Sequence, residues 1–312
     1  MAKQKVAGLA VAVCLAVAVS LCYGAGGTSG AAFLSIIPGS RPAGMAGAFT
    51  GAANDVNSIY FNPAGLALVE KKEIGFTHNM WVSGINYEFV AGAVPLAGIG
   101  TVGAALSMAS AQIDETKEAT DGGIDITGKK LSYSDMAVTV GLGRKINDAL
   151  LVGLNGKMVS ETISSKAGSA MGIDAGVTYI MSKDIMIGAA LQNLGTAMKL
   201  DSVEAGLPMT VRAGAAYKMM ENALNIVGDI NYFISSGKMN IRAGAEYIYP
   251  VSKDMGIAVR GGYQTTEVVG AGLTFGGGIV YKMGNMDIIA DLAYWQMGDL
   301  GSPIRVSLNV KL

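Results

Sequence analysis

Charge is scarce in this sequence. Of 312 residues only 15% are Asp, Glu, Lys or Arg, against about 25% in an average soluble domain. The formal net charge of −1 offers no field for holding a nucleic acid. Proline numbers 7, which excludes collagen and Pro-rich linkers. Histidine occurs once, at His78, and cysteine twice, at Cys14 and Cys22. No metal-ligand spacing, phosphate-binding loop or nucleophile motif is present. The expectation is a non-enzyme with no cofactor and no metal. What is abundant is glycine, with 44 residues, roughly twice the usual share. Apolar residues reach 51% and the mean hydropathy is +0.40, which excludes a disordered chain. A soluble Gly-rich β protein or a membrane protein remains.

Lys3 and Lys5 precede an apolar run from Val6 to Leu21, and small residues follow to Gly24 and Ala25. That order is the pattern of a secretory leader over residues 1–24. The run is about 16 residues, short of the ~20 that a retained membrane span needs. Cleavage after Gly24 removes both cysteines and leaves 21 basic against 24 acidic side chains, a net charge of −3. The mature chain then has no thiol and no disulfide.

Phe89 to Gln112 carries no ionisable group, yet Gly92, Pro95, Gly98, Gly100 and Gly103 make it a poor helix. It reads as two strands joined by a turn near Pro95–Gly98. Period two recurs along the chain. Val211, Ala213, Ala215 and Tyr217 alternate with Arg212, Gly214, Ala216 and Lys218. Ile226, Gly228, Ile230 and Tyr232 alternate with Asn225, Val227, Asp229 and Asn231. Residues 239–249, 286–294 and 304–312 repeat the pattern, and polar turn clusters separate the runs. About fourteen strands of roughly ten residues start near Glu73, with longer polar segments at Asp114–Lys130 and Leu200–Gly206. One face is Ala, Val, Ile and Met, and the other is polar and Gly-rich. A soluble sandwich would bury the apolar faces against each other. The inverted pattern favours an all-β transmembrane antiparallel barrel, with Ala243 toward lipid and Gly244 toward the lumen.

Residues 26–72 lack this period. They contain Gly39-Ser40-Arg41-Pro42-Ala43-Gly44-Met45-Ala46-Gly47 and then Asn54-Asp55 through Asn62-Pro63-Ala64-Gly65. This stretch resembles the N-terminal region of the PorV/PorQ family of outer-membrane proteins, relatives of the FadL-type hydrophobic-compound transporters. The resemblance implies a fourteen-stranded barrel whose N-terminal segment folds inward as a plug. It divides the chain into a leader (1–24), a plug (25–72) and a barrel (73–312). The plug motif is then Arg41, Gly44, Met45, Gly47, Asp55, Asn62, Pro63, Ala64 and Gly65. Candidate lumen charges are Arg212, Arg242, Glu246, Arg260, Asp287 and Asp291. Arg41 and Asp55 are candidate partners for lumen charges such as Glu246 or Arg212, and His78 is a lumen or interface residue.

Three functions fit an outer-membrane barrel of this kind. It passes small hydrophobic or amphipathic molecules, it binds exported proteins in a type IX-like secretion system, or it is a closed structural barrel. The partners expected are outer-membrane lipid, the barrel-assembly machinery, and hydrophobic small molecules or secreted proteins, with no nucleic acid.

Overall fold

Strict alternation in the sequence becomes a wall with two unlike faces. The computed structural model describes residues 29–118, 123–265 and 271–312. The expected leader lies outside the described residues. Seven strands form the first half of the wall: β1 (Glu73–Met80), β2 (Asn86–Leu96), β3 (Gly100–Glu118), β4 (Ile124–Lys145), β5 (Leu150–Ile163), β6 (Lys166–Ile180) and β7 (Ile185–Gly195). A small separate hairpin follows, β8 (Met198–Leu200) with β9 (Val203–Ala205). The wall resumes with β10 (Thr210–Met219), β11 (Leu224–Phe233), β12 (Lys238–Pro250), β13 (Met255–Gln264), β14 (Ala271–Met283), β15 (Met286–Met297) and β16 (Ile304–Lys311). β1 pairs with β16, Glu73 opposite Lys311 and Met80 opposite Ile304, and this seam closes a fourteen-stranded antiparallel barrel.

Closure pairs every wall strand on both edges, which a bilayer demands because lipid offers backbone groups no partner. No helix among the described residues is long and apolar enough to cross a membrane. On β11, Ile226, Ile230 and Tyr232 are exposed while Asn225, Val227, Asp229 and Asn231 are buried. On β16, Val306 and Leu308 are exposed over buried Arg305 and Ser307. An apolar outside over a polar inside is the face pattern of a wall between lipid and lumen. Exposed tyrosines gather near strand ends, Tyr217, Tyr249 and Tyr281 at the short-turn end and Tyr232 and Tyr263 at the other. Such rings suit the two membrane interfaces.

Four expectations change. Strand length runs from 8 residues in β1 to 22 in β4, not a uniform ten. The polar stretch Asp114–Lys130 is mainly strand: β3 and β4 pair out to Glu118 opposite Ile124. Their outer neighbours stop at Ser110 and Tyr133, so a free ribbon projects beyond the wall. Both its faces meet water, which is why its sequence turns polar. Leu200–Gly206, the other longer polar segment between strands, holds most of the β8–β9 hairpin. Finally, the lumen is not polar all round. Tyr87, Phe89, Ala91 and Ala93 of β2 point inward and are buried, while Val94 is exposed. Here the wall packs against an apolar side of the plug and forms a dry core with Leu34, Val56, Ile59 and Leu66.

His78 stands on the outward face of β1, in line with exposed Ile74, Phe76 and Met80, and its Nδ1 lies 2.6 Å from Glu88 Oε1. It is an outer-surface residue and does not reach the lumen.

The two faces of β12 give a direct test. Ala243, near the middle of the strand, is exposed, whereas a Cβ on Gly244 would stand 2.8 Å from Met45 Cα. Ala243→Arg is expected to destabilise the barrel by about 2–4 kcal/mol in a vesicle-folding titration. Gly244→Arg is expected to displace the plug at Met45. Equal tolerance of both changes would contradict the assigned faces.

Candidate functional site

The N-terminal segment threads the barrel from end to end. Gly30 N–H donates to Gly206 O at 2.9 Å and Ala31 N–H to Glu161 Oε2 at 2.9 Å, both at the end with the longer connections. At the opposite end Lys71 Nζ donates to Asn285 O at 2.8 Å, and Leu312 N–H donates to Lys72 O at 2.8 Å. Between these points run short helical turns, Ser40–Gly44, Ser58–Phe61 and Pro63–Leu68, with Met45, Ala48, Phe49 and Phe61 buried completely or nearly so. Small residues and turns let the segment fold on itself inside a cylinder too wide for wall side chains alone to fill.

Glycine is what admits it. A Cβ on Gly188 would stand 2.3 Å from Thr50 O, on Gly153 2.2 Å from Pro63 C, and on Gly143 2.6 Å from Ala67 N. Gly262 and Gly276 meet Met45 and Gly44 in the same way. The plug's backbone lies directly on the wall's backbone at these positions, and this accounts for part of the glycine excess. Within the plug, Gly65 leaves no room for a Cβ beside Ala53 O, 2.4 Å away. Gly47 has φ +72°, and its missing Cβ would meet Arg242 Nη1 at 2.6 Å.

Arg41 joins plug to wall. Its Nη1 reaches Asp55 Oδ2 at 2.8 Å and Asn54 Oδ1 at 2.8 Å, and its Nη2 reaches Glu246 Oε1 at 2.9 Å. Glu246 also accepts from Arg260 Nε at 2.7 Å, and Arg260 Nη1 donates to Asp291 Oδ1 at 2.8 Å. The buried Arg41 guanidinium is thus answered by two carboxylates, Asp55 from the plug and Glu246 from the wall. Of the lumen charges suggested as partners of the plug, Arg41 takes Glu246, while Asp55 pairs with Arg41 itself and not with Arg212. Asp229 pairs instead with Arg212, at 3.7 Å, and caps the plug by accepting from Phe49 N–H at 3.1 Å, Thr50 N–H at 3.0 Å and Thr50 Oγ1 at 2.6 Å.

Asn62 is a second anchor. Its Nδ2 donates to Thr50 O and Val177 O, each at 3.1 Å, and to Thr178 Oγ1 at 3.0 Å, while its Oδ1 accepts from Ala64 N–H at 3.2 Å. Pro63 then opens the following turn with its φ already set, and Ala64 and Gly65 are buried behind it. Asp287 stands apart from the other lumen charges. It sits beside the Gly284–Asn285 turn, partly exposed and 3.2 Å from Lys71 Nζ, so it is a rim contact.

Several site residues had no sequence motif. Arg305 is 1% exposed and lies against both Trp81 and Trp295, 5.2 and 5.7 Å from their ring centroids, which are themselves 5.5 Å apart. These are the only two tryptophans in the chain, the one signal that marked the place. Asn155 donates to Ile59 O at 2.7 Å and to Asp174 Oδ2 at 2.9 Å, and Lys157 pairs with Asp174 at 2.9 Å. With the plug in place, a cavity of ≈ 20 Å³ remains against Leu34, Ile59, Tyr87 and Phe89. Another of ≈ 20 Å³ touches Tyr60, Arg212, Asn231 and Arg242. Among the described residues no cluster of three or more His, Cys, Asp or Glu side chains is arranged to hold a metal.

The fold has similar solved structures. The toluene transporter TodX of Pseudomonas putida matches with a TM-score of 0.60 at 12% identity, over 88% of this chain and 97% of that one. The CymD monoaromatic hydrocarbon channel gives 0.60 at 11% identity, over 87% and 96%. A FadL homologue of Pseudomonas aeruginosa gives 0.56 at 12% identity, over 87% and 97%. At these identities the likeness is one of fold. In sequence, residues 23–146 match the model of a family described as Uncharacterised protein family (UPF0164). No curated protein matches the chain.

Proposed function

We propose that this chain is an outer-membrane channel for small hydrophobic or amphipathic molecules, held shut by its own N-terminal segment. The observation that carries the reading is the plugged lumen itself, in a fold shared with toluene and monoaromatic hydrocarbon channels. The residual cavity against Leu34, Ile59, Tyr87 and Phe89 holds no more than about a water or two, so passage requires the plug to shift. Its lining is mixed, with Leu34, Ile59 and Phe89 on one side and Lys157, Gln192 and Asn193 on the other, which suits an amphipathic as well as an apolar cargo. The narrower PorV/PorQ relationship and a secretion role rest on the residue 39–65 motif alone, and no further contact in the barrel favours them.

The mature protein lacks cysteine if the leader is removed, which makes a clean lock available. Ser40 Oγ and Ser307 Oγ are 2.7 Å apart, one on the plug and one on β16. Toluene uptake into cells poor in porins is expected to rise with the chain present. It should fall to background when a Ser40→Cys, Ser307→Cys variant is oxidised, and recover on reduction. Uptake equal to that of cells lacking the chain would overturn the proposal.

Residence in the outer membrane also requires the leader to be cut. N-terminal sequencing of protein from the outer-membrane fraction is expected to start near Ala25. Intact Met1 in an inner-membrane fraction would contradict this location.

A further inference from the structure

A buried cation is costly unless acceptors answer its charge. Arg41 and Arg260 are answered by Asp55, Glu246 and Asp291. Arg212 and Arg242 are not answered to the same degree. They project inward from β10 and β12, on either side of β11, and are 3% and 8% exposed. The carboxylate between them is Asp229, 3.7 Å from Arg212 Nη2, and its Oδ2 already accepts three hydrogen bonds from Phe49 and Thr50. Arg242 Nε donates to an amide oxygen, Asn240 Oδ1, at 2.6 Å. Among the described residues no carboxylate comes within ion-pair distance of Arg242. Asn231 gives its Oδ1 to Arg212 Nε at 2.8 Å, which leaves its buried Nδ2 with no acceptor. Two guanidinium groups and one unanswered amide donor therefore meet at one place, beside a carboxylate whose Oδ2 is taken by the plug and whose buried Oδ1 has no hydrogen-bond donor.

That place is a cavity. The ≈ 20 Å³ void is lined by Arg212, Arg242, Asn231, Thr210 and Tyr60, among others. A single water-sized sphere takes about 10–15 Å³ on this measure, so the space suits one small ion. We propose that it is a binding site for a halide-sized monoanion, held by Arg212, Arg242 and Asn231 Nδ2. The size selects a single-atom ion over a carboxylate, which would bring an attached carbon chain into the void.

The site touches the plug. Arg212 Nη2 donates to Gly47 O at 3.1 Å, and Arg242 Nη1 fills the space where Gly47 lacks a Cβ. Without an anion, the two like charges repel each other against this turn. With one bound, they are neutralised and hold it. Anion occupancy thus strengthens docking of the plug, independently of what the barrel transports.

The test uses the whole purified protein with bromide as the probe. Crystals grown in bromide are expected to show an anomalous peak between Arg212, Arg242 and Asn231. In solution, replacing gluconate by chloride at constant ionic strength should slow plug release. At one hundred times the Kd, hydrogen exchange of the Gly47 amide should slow about a hundredfold. Arg242→Gln should abolish both effects, whereas Arg242→Lys should keep a weaker chloride dependence. No bromide peak, or exchange indifferent to chloride in the unmodified protein, would overturn the site. So would occupancy by decanoate but not by bromide, which would identify a carboxylate pocket instead. The crystal and chloride measurements use the unmodified chain, so a variant that fails to fold does not blunt them.

Discussion

Deleting residues 26–65 is expected to leave an assembled barrel with a strongly raised conductance to small solutes. The wall is closed by its own strand pairs, including the β1–β16 seam, and that seam needs no plug residue. What the deletion removes is the lumen's filling. The wall around it is rich in glycine, and Gly143, Gly153, Gly188 and Gly262 have no side chains with which to close the gap. A fourteen-stranded barrel lined in this way should hold a water-filled path. Planar-bilayer recordings of the refolded variant check it. Asn62→Ala combined with Pro63→Ala should give a smaller increase, because it loosens one anchor and leaves the Arg41 and Asp229 contacts in place. Unchanged conductance in a correctly folded deletion would mean that another part of the chain closes the lumen.

Glu246→Gln should produce the largest effect of any single substitution on plug docking. The carboxylate accepts from Arg41 at 2.9 Å and from Arg260 at 2.7 Å, with 3% of the residue exposed. Breaking a buried ion set from one side costs about 3–5 kcal/mol, because the remaining charges stay buried without their partner. Arg41 and Arg260 keep Asp55 and Asp291, so the plug should loosen while the wall survives. The expected result is frequent brief openings in bilayer recordings and faster hydrogen exchange over residues 40–50. Salt should not reproduce the effect, since buried pairs are screened far less than surface ones. If openings and exchange match the parent protein, backbone contacts alone hold the plug.

The sequence shows the wall more clearly than the site. Period two survives in residues 211–232 and 304–312 because lipid and lumen impose opposite demands on successive residues. The apolar inward face of β2 was hidden for a related reason. Tyr87, Phe89, Ala91 and Ala93 look like a lipid-facing stripe, and only the plug's Leu34, Ile59 and Leu66 explain their burial. The Asn62 motif was visible because it is local, with its cap to Ala64 two residues away. The partner of Arg41 could be named only as one candidate among several, because Glu246 is 205 residues distant and nothing in local spacing selects it from other acids. Arg305 was missed because its two tryptophans come from distant places in the chain, Trp81 just after β1 and Trp295 on β15. Asp287 was read as a lumen charge because it shares a face with Asp291; only position along the strand separates rim from interior.

The threaded path has a consequence for assembly. The plug enters at one rim and leaves at the other, then continues directly into β1, the strand that forms the final seam with β16. A ring completed first would require the free N-terminal end to snake through a narrow hole. The order of events must therefore run the other way, with the plug laid against an open, curved sheet before the edges meet. Seam pairing joins segments more than 200 residues apart, and such distant contacts form late. The plug is then a mandrel on which the cylinder is rolled, and a cell that makes this protein must keep two unpaired strand edges apart until the mandrel is seated.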